Sequence, residues 1–247
     1  MSNLIEQFKK NIGNVLYKDR FNLIEIDNLI DESLFKELRN NFPDEKFFSK
    51  HNDFAMSFPD DNENFNRFIA DNKNWQNLIK QFQSKDFVEY LMKFFRINNV
   101  YYRNSWKKFI PYFKESKLNF CFNISKNGGF SLPHTDSSRK LISLVFFFVD
   151  DDWSKNDGGF VNLYEPIDKK FEYNWRNERV DPKNLTVINS IFPKKNKIYG
   201  FKKTKNSYHS VEKIISKNLS LRKVLMINLV YANKSDSPYK EKKFLFF

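Results

Sequence analysis

The sequence predicts a mainly β protein with N-terminal helices (α+β), its core a double-stranded β-helix (jelly roll) braced by those helices. Three observations predict it. Apolar residues recur at spacings of three and four up to about Phe95, as on the buried faces of helices. Beyond about Lys117 the texture changes to short apolar or alternating runs broken by Gly, Pro, Asn and Asp, the pattern of short strands. Four of the six glycines form two pairs, Gly128-Gly129 and Gly158-Gly159, each just ahead of such a run. The expected division is 1–116, a helical region packing on the core, and 117–247, the β core, together one structural unit.

Taken in order, Asp31 is placed to cap a helix with Leu34, Phe35, Leu38 and Phe42 on one face and Pro43 as its stop. Three further stripes follow: Phe68 and Ile69; Trp75, Leu78, Ile79 and Phe82; Phe87, Tyr90, Leu91 and Phe94. Such aromatic stripes are read as core packing. The strands expected after them run over 118–124, 130–136, 141–149, 160–164, 185–191, 197–201, 208–211 and 223–231, and eight short strands suggest a two-sheet jelly roll. The stretch 165–183, charged and aromatic with Pro166 and Pro182, reads as a loop inserted over one end of a sheet. Each glycine pair calls for a tight turn at positive φ or for backbone passing close to another group.

Composition narrows the function. With 40% hydrophobic residues, 29 Phe, 11 Tyr and 4 Trp, the chain is too apolar to be disordered. Its longest apolar run, Leu141 to Val149 with Ser143 inside it, is far short of the roughly twenty residues of a membrane-spanning helix. Glu6 and Lys9 interrupt the stretch where a secretion leader would be apolar, and Cys121 has no second cysteine to pair with, so a cytoplasmic, reducing setting is expected. The net charge of +12 is concentrated after Pro193, with 14 Lys+Arg against 3 Asp+Glu. A solvated lysine-rich surface is the first reading of that excess, attraction to an anionic substrate or polymer the second. No nucleic-acid-binding motif accompanies it, so neither nucleic acid nor a membrane is an expected partner.

The chemistry rests on three histidines, His51, His134 and His209. In His134-Thr135-Asp136 the imidazole and the carboxylate are two residues apart, so on an extended chain both project from one face. His209, on a later strand, can lie against them in a jelly roll. Two imidazoles and a carboxylate on one side of a metal form the facial triad of non-heme Fe(II), which leaves coordination positions open. His51 sits in a polar stretch without strand periodicity and reads as surface, and Cys121 reads as a small core residue.

The motif has context: Asn127-Gly128-Gly129 before it, a long apolar strand after it, Asp157-Gly158-Gly159, a Pro193-x-x-Asn196 turn, then His209 and Arg222. In this order and spacing the chain, over about Cys121 to Tyr231, resembles the Fe(II)/2-oxoglutarate-dependent dioxygenase superfamily, in its prolyl 4-hydroxylase-like branch. The resemblance implies His134, Asp136 and His209 as the metal ligands, no catalytic residue beyond them, and Arg222 as the residue that receives the distal carboxylate of 2-oxoglutarate. Lys223 is the fallback, on the opposite strand face. Fe(II), 2-oxoglutarate as co-substrate and O2 are the implied cofactors, with ascorbate as an accessory reductant. The implied reaction hydroxylates an unactivated C–H bond, of a prolyl residue in the first instance, releasing succinate and CO2; the substrate is a small molecule, peptide or saccharide. Members often carry a tyrosine on the strand after the H-x-D motif, where this chain has Phe146-Phe147-Phe148, so Ser143, Tyr199 or Tyr208 would have to supply the hydroxyl. The nucleic-acid demethylase branch carries a second arginine six positions after the first, and Asn228 stands there. The reading from a different class is a non-catalytic jelly-roll module that binds a sugar or an anion.

Overall fold

Alternation in Leu118, Phe120, Phe122 and Ile124, all buried, makes β6 (Lys114–Ser125) a strand with one face turned to a core. β8 (Lys140–Phe147) is different: it is buried almost throughout, as a strand covered on both faces must be. The computed structural model describes residues 4–10, 14–18, 21–50, 55–103, 105–174, 177–216 and 221–237. His51 and the apolar ending Phe244 to Phe247, expected to dock on the core or a neighbour, lie outside the described residues.

The remaining core strands are β7 (Ser131–His134), β9 (Val161–Pro166), β10 (Leu185–Ile191), β11 (Ile198–Lys202), β12 (Tyr208–Val211) and β13 (Arg222–Tyr231). All eight expected strands are present. They divide between two sheets. The minor sheet has the order β10-β9-β12-β7 and is antiparallel throughout. The major sheet contains β11-β8-β13-β6, with β13, the last strand in chain order among the described residues, placed between β8 and β6.

Residues 1–116 supply more than the expected helices. α1 (Leu4–Lys10), α2 (Glu32–Asn40), α3 (Glu63–Asp71), α4 (Lys73–Phe82) and α5 (Lys85–Phe94) are present, but so are β1 (Asn14–Lys18), β2 (Phe21–Ile26), β3 (Ser49–Lys50), β4 (Ala55–Pro59) and β5 (Val100–Tyr102). β1 and β2 extend the major sheet beyond β11; β4 and β3 extend it beyond β6, and β5 runs parallel to β6. β3 and β5, of two and three residues, are too brief to show a periodicity, and β1, β2 and β4 take their places by pairing with other strands. Asp31 does occupy the position before α2, although its side chain makes no capping bond.

The major sheet separates two cores. Its outer face, through Phe122, Leu144, Phe146, Phe148 and Leu225, packs under the helices, where Trp75 meets Phe122 edge-on at 4.8 Å between ring centroids. Its inner face, through Val145, Phe147, Tyr199, Phe201 and Val224, meets Val161, Leu163 and Ile191 of the minor sheet. Of the three consecutive phenylalanines, only Phe147 therefore lines the space between the sheets. Asn196, at φ 55°, locks the helical layer to the β core: its side-chain amide donates to the Ile30 carbonyl at 2.7 Å and accepts from the Ile30 N–H at 3.2 Å.

Candidate functional site

β12 lies between β9 and β7, and its register sets His209 directly opposite His134. Their ring centroids are 4.3 Å apart. His134 Nδ1 faces the Leu132 carbonyl at 2.9 Å and His209 Nδ1 faces the Ser207 carbonyl at 3.1 Å. A carbonyl can only accept, so each Nδ1 carries the proton and each Nε2 keeps its lone pair. Asp136 completes the group: His134 Nε2 is 3.9 Å from its Oδ1 and His209 Nε2 is 3.8 Å from its Oδ2. The three ligand atoms lie within 4.8 Å of one another, a set that could hold a metal ion.

Asp136 arrives by a different route from the expected one. The strand ends at His134, and Asp136 sits on the following turn at φ 69°, a left-handed conformation uncommon outside glycine. Its carboxylate reaches the imidazoles because the chain turns there, not through strand alternation. Two bonds secure it: Lys140 Nζ donates to Oδ1 at 2.8 Å and Ser143 Oγ to Oδ2 at 3.0 Å. Neither partner is visible from the H-x-D spacing, although Lys140 stands four residues on.

The electrostatics suit a metal-ligand set. Burial, followed by the neighbouring His209, pushes the His134 imidazolium down to about 3. Burial lowers His209 as well. For Asp136 burial works in the raising direction, yet the Lys140 ammonium and the two imidazoles outweigh it and hold the carboxyl well below the usual carboxylate range. At neutral pH the cluster is two neutral imidazoles and one carboxylate, the protonation state in which these groups bind metals.

Arg222 opens β13 at the opposite end of that strand from Val230, the partner of Lys140. Its side chain is buried, with Nε donating to the Gly159 carbonyl at 3.2 Å and the guanidinium 5.1 Å from the centroid of the Phe147 ring. Among the described residues no carboxylate pairs with it. A buried guanidinium without a counterion is costly, and an anion bound beside it would offset that cost. Lys223 faces the other way, over Phe42 in the helical layer, which removes it as the alternative. Tyr199, buried beside Phe147, is the hydroxyl closest in setting to Arg222; burial raises its phenol and the guanidinium works against that. Ser143 is engaged by Asp136, and the Tyr208 hydroxyl donates to the Phe171 carbonyl at 2.9 Å.

The glycine pairs frame this end of the site. Gly158 and Gly159 have φ of 68° and 74°, and a side chain on Gly159 would come within 3.2 Å of Arg222 Cδ. Gly128, at φ 85°, donates to the Ile214 carbonyl at 2.8 Å while Ile214 donates to the Gly129 carbonyl at 2.9 Å, and Gly158 bridges to Ile214 as well. Both turns thus clasp the segment that leads from the His209 strand to Arg222. Cys121 plays no part here; burial pushes its thiol up to about 11.

These features define a two-sheet jelly roll with a His-Asp-His cluster and a buried arginine in one interior. Residues 121–224 match the family model of the 2OG-Fe(II) oxygenase superfamily. No curated protein matches. Among solved structures the chain is similar in fold to a prolyl hydroxylase from Trichoplax adhaerens, solved with a hypoxia inducible factor peptide fragment (11% identity, TM-score 0.53, covering 97% of this chain and 96% of that one). It is similar also to IDO from Bacillus thuringiensis (13%, 0.52, 94% and 98%) and to HygX from Streptomyces hygroscopicus, solved with nickel and 2-oxoglutarate (9%, 0.53, 87% and 84%). The superfamily's cofactors, Fe(II) and 2-oxoglutarate, fit what is present: the donor set is that of the facial triad, and the buried arginine lacks an acidic partner among the described residues.

Proposed function

We propose that the protein is an Fe(II)- and 2-oxoglutarate-dependent dioxygenase that hydroxylates an unactivated C–H bond, with a prolyl residue as the first substrate to test. The observation that carries this reading is the pairing, within one β interior, of the His134/Asp136/His209 cluster with the buried cation of Arg222.

In this reading His134, Asp136 and His209 hold Fe(II) on one side and leave the other open. Arg222 receives the distal carboxylate of 2-oxoglutarate, where a guanidinium offers two parallel donors and keeps its charge though buried. Bound there, the metal and the diacid supply O2 activation, ending in succinate and CO2. Tyr199 supplies the hydroxyl that the phenylalanines of β8 cannot. Phe147 and Phe201 keep water from the space between the two ends of the site. Lys140 and Ser143 hold the Asp136 carboxylate in place. The shared fold with the Trichoplax prolyl hydroxylase supports a prolyl substrate. The single, half-buried thiol suits a reducing, cytoplasmic setting; among the described residues no helix is long and apolar enough to cross a membrane.

Anaerobic titration of the metal-free protein with Fe(II) and 2-oxoglutarate tests the reading, through the visible charge-transfer band of a chelated 2-oxoglutarate. The band is expected in the wild type, absent in His134→Ala, and displaced to much higher 2-oxoglutarate concentration in Arg222→Met. Tight zinc binding with no band in any form would leave a non-catalytic binding module instead. Succinate release on addition of proline-containing peptides then tests the substrate.

A further inference from the structure

β13 presents Leu225, Ile227 and Leu229 to the helices and Val224 and Met226 to the space between the sheets. By alternation Asn228 belongs to the second face. Its cross-strand partner on β8 is Ser143, whose hydroxyl holds Asp136 at 3.0 Å. Its partner on β6 is Asn119, on the strand face opposite the helix-side Leu118 and Phe120. Residues directly opposite on neighbouring strands have Cβ atoms about 5 Å apart. A polar row therefore crosses the inner face of the major sheet, starting at the metal-ligand cluster: Asp136, Ser143, Asn228, Asn119.

Ser143 has a partner in that row, and the two carboxamides have none. Asn228 is 8% exposed and Asn119 keeps its Oδ1 buried, yet among the described residues neither side chain makes a hydrogen bond. Asn123, further along the same face of β6, differs: its amide turns to the Cys121 carbonyl at 3.4 Å and to Sγ at 3.3 Å. A buried carboxamide that bonds to nothing in the chain is costly, and a partner from outside the chain would offset that cost. Both groups are uncharged, so the partner that fits is neutral, with a donor and an acceptor side by side. An amide has both, and they match a carboxamide's own N–H and C=O. Arg222 stands on the same face of β13, six residues away, so the cation and the carboxamide do not compete for one group.

Resting on the dioxygenase reading, we infer that Asn228, with Asn119 beside it, binds the substrate through hydrogen bonds to an amide group near the reacting carbon, and that the substrate is a peptide. Asn228 is then a specificity-determining residue. An analogue without the amide would leave both carboxamides unpaired and would be rejected for that reason.

The experiment loads the whole protein with Mn(II) and 2-oxoglutarate under anaerobic conditions, and Mn(II) binding is read first by electron paramagnetic resonance. Relaxation of the methyl protons of N-acetylprolinamide, and separately of methyl glucoside, is then followed against concentration in the wild type, Asn228→Leu and Asn119→Leu. Expected is saturable enhancement for the amide in the wild type, weakened about tenfold in Asn228→Leu and to a lesser degree in Asn119→Leu, as for a lost neutral hydrogen bond. Mn(II) and 2-oxoglutarate affinities should not change. The urea midpoint of metal-free Asn228→Leu should equal or exceed that of the wild type, because an apolar group of similar size replaces an amide that has no partner in the fold. Equal amide enhancement in wild type and Asn228→Leu, or none in the wild type, would overturn the inference. Enhancement of the glucoside alone would assign the row to hydroxyl groups and overturn the peptide class. A fall in Mn(II) affinity or in the urea midpoint of Asn228→Leu would show that Asn228 supports Ser143 or the sheet, and would overturn it too. Failure of the wild type to bind Mn(II) would bring down the metal reading itself, and the inference with it.

Discussion

Thr135, fully buried between His134 and Asp136, donates its hydroxyl to the backbone carbonyl of Asn174. Asn174 lies in the insert after β9, and the insert is fastened to both ligand strands. The Asn174 N–H donates to the Lys205 carbonyl at 2.8 Å, the Val180 N–H to the Pro133 carbonyl at 3.0 Å, and the Tyr208 hydroxyl to the Phe171 carbonyl. A segment that reads from sequence as a lid over the sheet is, at these points, a brace for the residues that flank both imidazoles.

Replacing Thr135 by Val keeps the shape and removes the donor. The buried Asn174 carbonyl then lacks that partner, and a loss of about 1–3 kcal/mol in stability is expected. Co(II) affinity is expected to fall about tenfold, as when other outer partners of metal ligands are removed. Thr135→Ser restores both. Urea denaturation and Co(II) titration by visible absorbance check the pair; an unchanged Co(II) affinity in Thr135→Val would show that the insert does not support the ligands.

Ser143→Ala should leave the fold intact and loosen Asp136. The hydroxyl is buried and bonds one carboxylate oxygen, while Lys140 keeps the other. Metal affinity is expected to drop by about an order of magnitude. The change should appear in Co(II) titration with little shift in the thermal midpoint of the metal-free protein.

The buried histidines give the metal-free protein a defined response to acid. Their folded pKa values lie below the ordinary imidazole value, so the folded state binds fewer protons than the unfolded one as pH falls. Stability is full above about pH 6.5 and declines below it, for His134 down to about pH 3, by at most about 1.4 kcal/mol per pH unit for each histidine. Asp136, depressed in the fold, acts in the same direction at and below its ordinary range. Denaturation series between pH 7.5 and 4 should show this slope, and His134→Gln should reduce it. Because His134 is already neutral at pH 5, its protonation should not compete with metal there, and Co(II) affinity should weaken less between pH 7 and 5 than at a site of ordinary imidazoles.

The Asp157-Gly158-Gly159 turn offers a test at the other end of the site. In Gly159→Ala the new methyl group would crowd Arg222 Cδ at 3.2 Å, and Ile214 and Trp153 at 3.3 Å each, on backbone at φ 74°. A destabilisation of about 1–3 kcal/mol is expected. The charge-transfer titration should need several-fold more 2-oxoglutarate with Fe(II) affinity little altered, separating this change from those at the metal cluster.

The sequence carries the parts of the site that depend on residue type. His134, Asp136, His209 and Arg222 are brought into one interior, and all eight core strands fall where alternation and the turn residues put them. What was not legible follows from distance and from backbone conformation. Asp136 uses a left-handed turn that strand periodicity does not encode. Thr135 acquires its partner, Asn174, only through a tertiary contact, and in a chain with 42 Lys and Arg no single lysine, Lys140 included, stands out. β2 joins the major sheet because β11 offers it an edge, a long-range pairing that local pattern cannot show.

The position of β13 has a consequence for how the protein comes to exist on the ribosome. Its two neighbours, β6 and β8, are synthesised long before it, and until it emerges each exposes an unpaired apolar edge where the centre of a sheet should be. His134, Asp136 and His209 all precede it and Arg222 is its first residue, so a nascent chain carries the whole His-Asp-His set before it gains the buried cation. Completion of the sheet and arrival of the Arg222 guanidinium between the sheets are therefore one event.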